Sequence, residues 1–178
     1  MSDDLLIVMW RYHKSTKWYR TLVSKAIVFF TKSPYTHVGI YYDGYLYEST
    51  VMNNQNGTMV TEFVPEKNDR LTYMRFKKPL TSDQLSKLYE TLWIKVVVAQ
   101  PYNFLKLFVL MLVYPTKKFW NKIGWVPFQS EFFGNVCSVF VDSVFKTVGI
   151  DLLPGQNEEY TAPGDFYVSP MLEVVKWE

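Results

Sequence analysis

The sequence holds a single cysteine, Cys137, and only two histidines, His13 and His37. One cysteine excludes an internal disulfide, and one cysteine with two histidines cannot build a four-ligand zinc cluster. An excess of charge of one sign is also missing: 19 Lys plus Arg stand against 17 Asp plus Glu. That balance excludes the basic stripe expected of a general nucleic-acid binder. The start, Met1-Ser2-Asp3-Asp4, lacks the basic n-region of a secretory signal. The expectation is a chain kept in the cytoplasm or packed into a particle made there. No linker, repeat or low-complexity stretch interrupts it. The longest apolar run, Leu105 to Tyr114, is too short to span a bilayer, and Lys106 and Pro115 break it further.

What remains is a chain long enough for one domain, 1–178, with a substantial core. Aromatic residues, at 18%, are abundant. The lone cysteine sits in Asn135-Val136-Cys137-Ser138-Val139-Phe140-Val141, the start of an amphipathic segment. Cys137, Phe140, Val141, Val144, Phe145 and Val148 fall at spacings of three and four, which predicts a helix. Asn135 suits its N-cap and Gly149 its end. Cys137 then lies in the first turn, where backbone N–H groups lack helical partners and the macrodipole is positive. Helix starts favour a thiolate. The same register also suits a small buried hydrophobe, so the nucleophilic reading requires a base.

The base is sought on a hairpin. Thr36 to Tyr42 and Tyr45 to Thr50 flank Asp43-Gly44, a preferred two-residue turn. This turn predicts Tyr42 opposite Tyr45, Gly39 opposite Glu48 and His37 opposite Thr50. Alternation then puts His37, Gly39, Tyr41, Leu46, Glu48 and Thr50 on one face. Glu48 becomes the diagonal neighbour of His37, and Gly39 leaves it room to lean. An acid so placed can orient an imidazole and stabilise its charged form; a structural ion pair uses the same placement. His13 has no comparable partner and is expected at the surface.

Elsewhere, Leu5 to Trp10, Met59 to Val64 and Leu71 to Phe76 read as strands. Lys17 to Thr31 reads as a helix ended by Ser33-Pro34, and Thr81 as the hydroxyl cap of a second. The β-branched run Val96-Val97-Val98 precedes Gln100-Pro101-Tyr102-Asn103. From Leu105 to Phe133 the chain is rich in aromatics: an ordinary packed helix and loop, or an apolar wall beside Cys137 able to take an acyl chain or touch a membrane surface.

The histidine strand Thr36-His37-Val38-Gly39-Ile40, the acid strand Tyr47-Glu48-Ser49, the turn Pro101-Tyr102-Asn103-Phe104, the helix start Asn135 to Val141, and the closing Ala162-Pro163-Gly164-Asp165-Phe166 with Ser169-Pro170 occur in that order. Together they resemble the circularly permuted branch of the NlpC-type papain-like superfamily, the YiiX-like cysteine hydrolases. The resemblance covers nearly the whole chain. Two departures are Val139, where relatives often carry an acid, and the aromatic insert. The resemblance implies an α+β fold in which an antiparallel, partly closed sheet packs against the cysteine-bearing helix. It implies a cysteine hydrolase of amide bonds, a peptidase or amidase, with Cys137 as nucleophile, His37 as base and Glu48 orienting His37. Tyr102 would line the substrate site, and neither cofactor nor metal is called for. Peptides, peptidoglycan stem peptides among them, are the substrates it suggests. A lipid acyl hydrolase or acyltransferase, similar to lecithin retinol acyltransferase relatives, is the alternative, with peripheral membrane contact. A non-catalytic interaction protein keeping the fold is the third. The resemblance also suggests a viral or phage origin.

Overall fold

The structure, a computed structural model, describes residues 5–12, 18–52, 55–64, 70–124 and 135–175. His13 and the second half of the aromatic insert, 125–134, lie outside the described residues. In chain order the elements are β1 (Leu6–Arg11), α1 (Trp18–Thr31), β2 (Tyr35–Tyr42), β3 (Tyr45–Met52), β4 (Gln55–Glu62) and β5 (Leu71–Phe76). There follow α2 (Ser82–Val98), α3 (Phe104–Val113), α4 (Lys117–Ile123), α5 (Cys137–Thr147) and β6 (Leu172–Val175). Short 3-10 turns occupy Tyr114–Thr116, Glu158–Tyr160 and Pro163–Val168.

The six strands form one antiparallel sheet in the order β4-β3-β2-β1-β5-β6, an open ladder with β4 and β6 at its edges. β1 is central, and its uninterrupted apolar run fits a strand covered on both sides. Ile7 and Met9 point into the main core with Val38, Ile40, Tyr47 and Met74. Leu6 and Val8 point the other way, to a smaller cluster with Leu46 and Tyr73. On the main-core face lies α5, whose Cys137, Phe140, Val141, Val144, Phe145 and Val148 are all buried there. The spacing of those six side chains predicts this face. Gly149, at φ 79°, closes the helix, with the Ile150 N–H returning to the Phe145 carbonyl.

Two boundaries differ from those expected on sequence. α2 starts at the expected cap, with Thr81 and Gln84 bonded reciprocally. It then runs on through Val96-Val97-Val98 to Ala99, which is left-handed at φ 47°. Once cap and buried Leu88 and Leu92 have established the helix, each valine costs at most about 0.7 kcal/mol, too little to break it. β4 begins at Gln55 rather than Met59, because its polar first half is held on both sides. Residues 55–58 pair with β3, and the Thr58 N–H donates to the Gln100 carbonyl. That carbonyl passes so close to Gly57 that a Cβ there would lie 2.2 Å from its oxygen.

α1 and α3 pack against each other over a third cluster, built from Ile27, Leu107, Leu110, Met111, Val136, Val139 and Tyr160. Among the described residues no helix is long and apolar enough to cross a membrane.

Candidate active site

The hairpin turn forms as its dipeptide dictates. Asp43 and Gly44 take φ of 50° and 82°, the pair of positive values a type I′ turn needs. Tyr42 faces Tyr45, and the ladder continues to Ile40 opposite Tyr47. Beyond that pair the strands part, so the expected facing of His37 and Thr50 is not formed. The His37 end of β2 pairs with β1, His37 opposite Trp10, while the Glu48 end of β3 pairs with β4, Glu48 opposite Met59. A bulge at Thr36, between the pairs Trp10–His37 and Arg11–Tyr35, re-aims the backbone at this point. The start of α5 is tied into the parting: Ser49 Oγ donates to the Asn135 carbonyl at 3.1 Å.

Glu48 lies beside Gly39 and reaches His37, although the expected pairing of Gly39 with Glu48 is not part of the ladder either. A Cβ at Gly39 would meet the Leu46 side chain at 3.0 Å and Glu48 Cβ at 3.4 Å, so the space depends on glycine. Glu48 Oε2 lies 2.5 Å from His37 Nε2, and the Trp10 ring packs against the imidazole with centroids 5.0 Å apart. The carboxylate side chain is 5% exposed and the imidazole 21%, so the pair is shielded on the acid side and open on the histidine side. Nε2 is taken by the carboxylate, and Cys137 acts on the ring electrostatically. Burial pulls the His37 pKa down, but the negative charge of Cys137 and the hydrogen bond to Glu48 outweigh it, raising the pKa to about 10.

Cys137 is the first residue of α5 and is buried. The cap is not Asn135 but Val136, which has no side-chain acceptor. Asn135 is occupied elsewhere. Its amide donates to Gln100 Oε1 at 2.9 Å, and its backbone forms a short parallel bridge to the Pro101–Asn103 segment. The consequence is twofold. The first-turn N–H groups of α5 receive no side-chain cap, and Tyr102 is brought within electrostatic reach of Cys137. Burial, and then the charge on Cys137, push the Tyr102 phenol well above the usual tyrosine range, so it keeps its proton. The helix start is held from behind by Ser138 Oγ donating to the Thr161 carbonyl at 2.5 Å and Thr161 Oγ1 to Asp142 Oδ2 at 3.0 Å.

Beside Cys137 lies a narrow cavity of about 10 Å³, one water's worth, walled by Thr36, Ile27 of α1, and Leu107, Leu110 and Met111 of α3. The closing segment completes the wall with Ala162 and Pro163. That segment is pinned by Asp165, which accepts from Tyr114 and Lys117 at 2.7 Å each and from Gln156 at 3.0 Å. Asn135, Gln100, Ser49 and Thr36 are the residues that sequence reasoning missed as organisers of the site. Their side chains are common polar ones, and only the parting of β2 from β3 gives them their positions.

The chain is thus an α+β protein with an open antiparallel sheet and a histidine–carboxylate pair where β2 and β3 part. The crystal structure of the metalloprotein YiiX from Escherichia coli O157:H7 has a similar fold, with a TM-score of 0.61 over 100% of this chain and 99% of that one, at 16% identity. No protein-family model matches the chain, and no curated protein sequence matches it. Among the described residues, no three His, Cys, Asp or Glu side chains are grouped so as to hold a metal ion.

Proposed function

We propose that this chain is a cysteine-dependent acyl-transfer enzyme of the permuted papain-like, NlpC-type arrangement, hydrolysing amide bonds through Cys137, His37 and Glu48. The observation that carries the reading is the buried Glu48 carboxylate on the His37 ring, with Cys137 at the helix start acting on that ring electrostatically. A raised His37 pKa favours an imidazolium in the resting state, and the reacting form of Cys137 is its thiolate. The thiolate attacks the carbonyl carbon, and the C=O electron pair moves to oxygen. The Cys137 N–H, left free of a side-chain cap, and the protonated Tyr102 phenol are the donors we assign to that oxyanion. As the tetrahedral adduct collapses, the C–N bond breaks and His37 passes its proton to the departing amine. A thioester remains. His37, now neutral, takes a proton from water as it attacks; the C–S bond breaks, releasing the acid and restoring the ion pair. Glu48 holds the ring and stabilises its charge throughout.

Peptides, including peptidoglycan stem peptides, are the amide substrates this reading names. A second reading, in which the acyl group is that of a lipid, is favoured by the exposed apolar side chains Phe104, Leu105 and Phe108 on the neighbouring α3. Turnover of muropeptides against fluorescent phospholipids separates the two. The chemistry common to both is tested with an electrophilic acyl probe on native protein, read by intact mass. One adduct is expected on wild type, at Cys137, and none on Cys137→Ser. Labelling seen only after denaturation would leave Cys137 as a buried core residue and the chain as an interaction protein.

A further inference from the structure

α1 and α3 are amphipathic in an unusual sense. Their inner faces are apolar because they pack over the third cluster, through Val23, Ala26, Ile27 and Phe30 on α1 and Leu107, Leu110 and Met111 on α3. Their outer faces should be polar. On α1, however, the residues opposite Ile27 are Trp18, Leu22, Lys25 and Phe29, spaced by four, three and four, and the three apolar ones are 61–76% exposed. On α3 the outer stripe is Phe104, Leu105, Phe108 and Leu112, each more than half exposed. α4 adds Phe119 and Ile123. Scattered apolar side chains on a surface need no explanation, but adjacent helices with apolar outer stripes mark an interaction face.

Charge says what that face meets. α1, α3, α4 and the turn joining the last two contain Arg20, Lys25, Lys106, Lys117, Lys118 and Lys122 and no Asp or Glu. Two of these cations are already paired, the buried Lys106 with Glu159 and Lys117 with Asp165, which leaves the charge of the face to the others. Lys25, Lys118 and Lys122 are exposed, as is Lys32 just beyond α1. Exposed aromatics and leucines interleaved with lysines and free of acids are the composition of a helix lying in a membrane interface. The apolar stripes run from Trp18 to Phe29 on α1 and from Phe104 to Leu112 on α3, more than two turns of each helix, a length suited to lying in a bilayer interface. We infer that α1, α3 and α4 form a docking face for an anionic phospholipid bilayer, lying flat on it without crossing it. The inner sides of α1 and α3 wall the cavity at Cys137, so docking places the candidate site at the lipid surface. The docking itself does not rest on the hydrolase reading.

The test is co-sedimentation of the full chain with vesicles of phosphatidylcholine alone and with about 30% phosphatidylserine. Wild type should pellet with the anionic vesicles and be released by high salt. Lys118→Gln and Lys122→Gln should each weaken that binding about fivefold. Leu22→Ser with Phe108→Ser should weaken it at least about tenfold, with an unchanged melting temperature because both side chains are solvent-facing. Cys137→Ser should bind as wild type does, which keeps failure of the chemistry separate from failure of docking. Three outcomes overturn the inference: wild type left in the supernatant, vesicle binding indifferent to the Leu22 and Phe108 changes, or a soluble self-association removed by those changes in a protein that binds no vesicles.

Discussion

His37 is the residue on which both chemistry and local electrostatics turn. Glu48 bonds its ring, and Cys137 acts on it electrostatically. Glu48→Gln keeps the size and can still accept a hydrogen bond from the ring, but it no longer stabilises the imidazolium. Probe labelling at Cys137 should therefore slow about ten- to a thousandfold, less than the loss when a triad acid is neutralised in a protease. His37→Ala should cost more, and His37→Ala with Glu48→Gln should be no worse than His37→Ala alone, because Glu48 acts through the ring. Labelling of Glu48→Gln at the wild-type rate would move the acid's role elsewhere. The sequence carries part of this pair: turn chemistry sets the register as far as Ile40 and Tyr47, and Gly39 leaves the space, but the strands part before His37 and Glu48. The cap is different. Asn135 has the right side chain at the right offset, yet the Pro101–Asn103 backbone and Gln100 claim it first. Competition between a local cap and a distant partner cannot be read from neighbours in sequence.

Among the elements, β4 and the end of α2 depend on one crossing. The Gln100 carbonyl, just past the left-handed Ala99, accepts from Thr58 and lies against Gly57, whose φ is 129°. This contact sets where the Pro101–Asn103 segment runs, and hence where Tyr102 sits. Gly57→Ala must both strain the backbone and push the carbonyl away. The expected cost is about 1–3 kcal/mol, visible as a lower denaturation midpoint. Labelling at Cys137 should drop with it, since Tyr102 shifts. An unchanged midpoint would mean that the crossing relaxes freely. The helices illustrate the opposite case. The sequence reads 17–31 as a helix and leaves the stretch from Leu105 open between a packed helix and an apolar wall, without saying which stripe of either faces inward. On α1, Trp18, Leu22 and Phe29 look like core residues by size, yet Val23, Ile27 and Phe30 are the ones that pack. When both stripes are apolar, hydrophobic patterning no longer selects the buried one.

For the whole molecule, the site is also a term in stability. His37 is raised to about 10 in the folded state from its ordinary 6.5. The native protein therefore holds a proton between these values that the unfolded chain has lost. The stabilisation is fully present below pH 6.5 and disappears as pH climbs through 10, with a total on the order of a few kcal/mol. Urea unfolding across this window should show stability falling in wild type and a flatter profile in His37→Ala. Equal slopes in the two proteins would show that the proton is not held.

Local chemistry in the sequence determined the hairpin turn and its register as far as Ile40 and Tyr47, the six buried positions of α5 and the capped start of α2. Each depends on neighbours only a few residues apart, where turn preferences and side-chain periodicity act without help. Four things were decided by tertiary structure alone: the parting of β2 from β3, the diversion of Asn135 from its cap, the approach of Tyr102 to Cys137, and the outward turn of the aromatic stripes on α1 and α3. Those features arise where segments far apart in the chain compete for the same hydrogen-bonding group or the same patch of core. Such contests are settled by the packing of the whole chain, because no single segment holds both competitors.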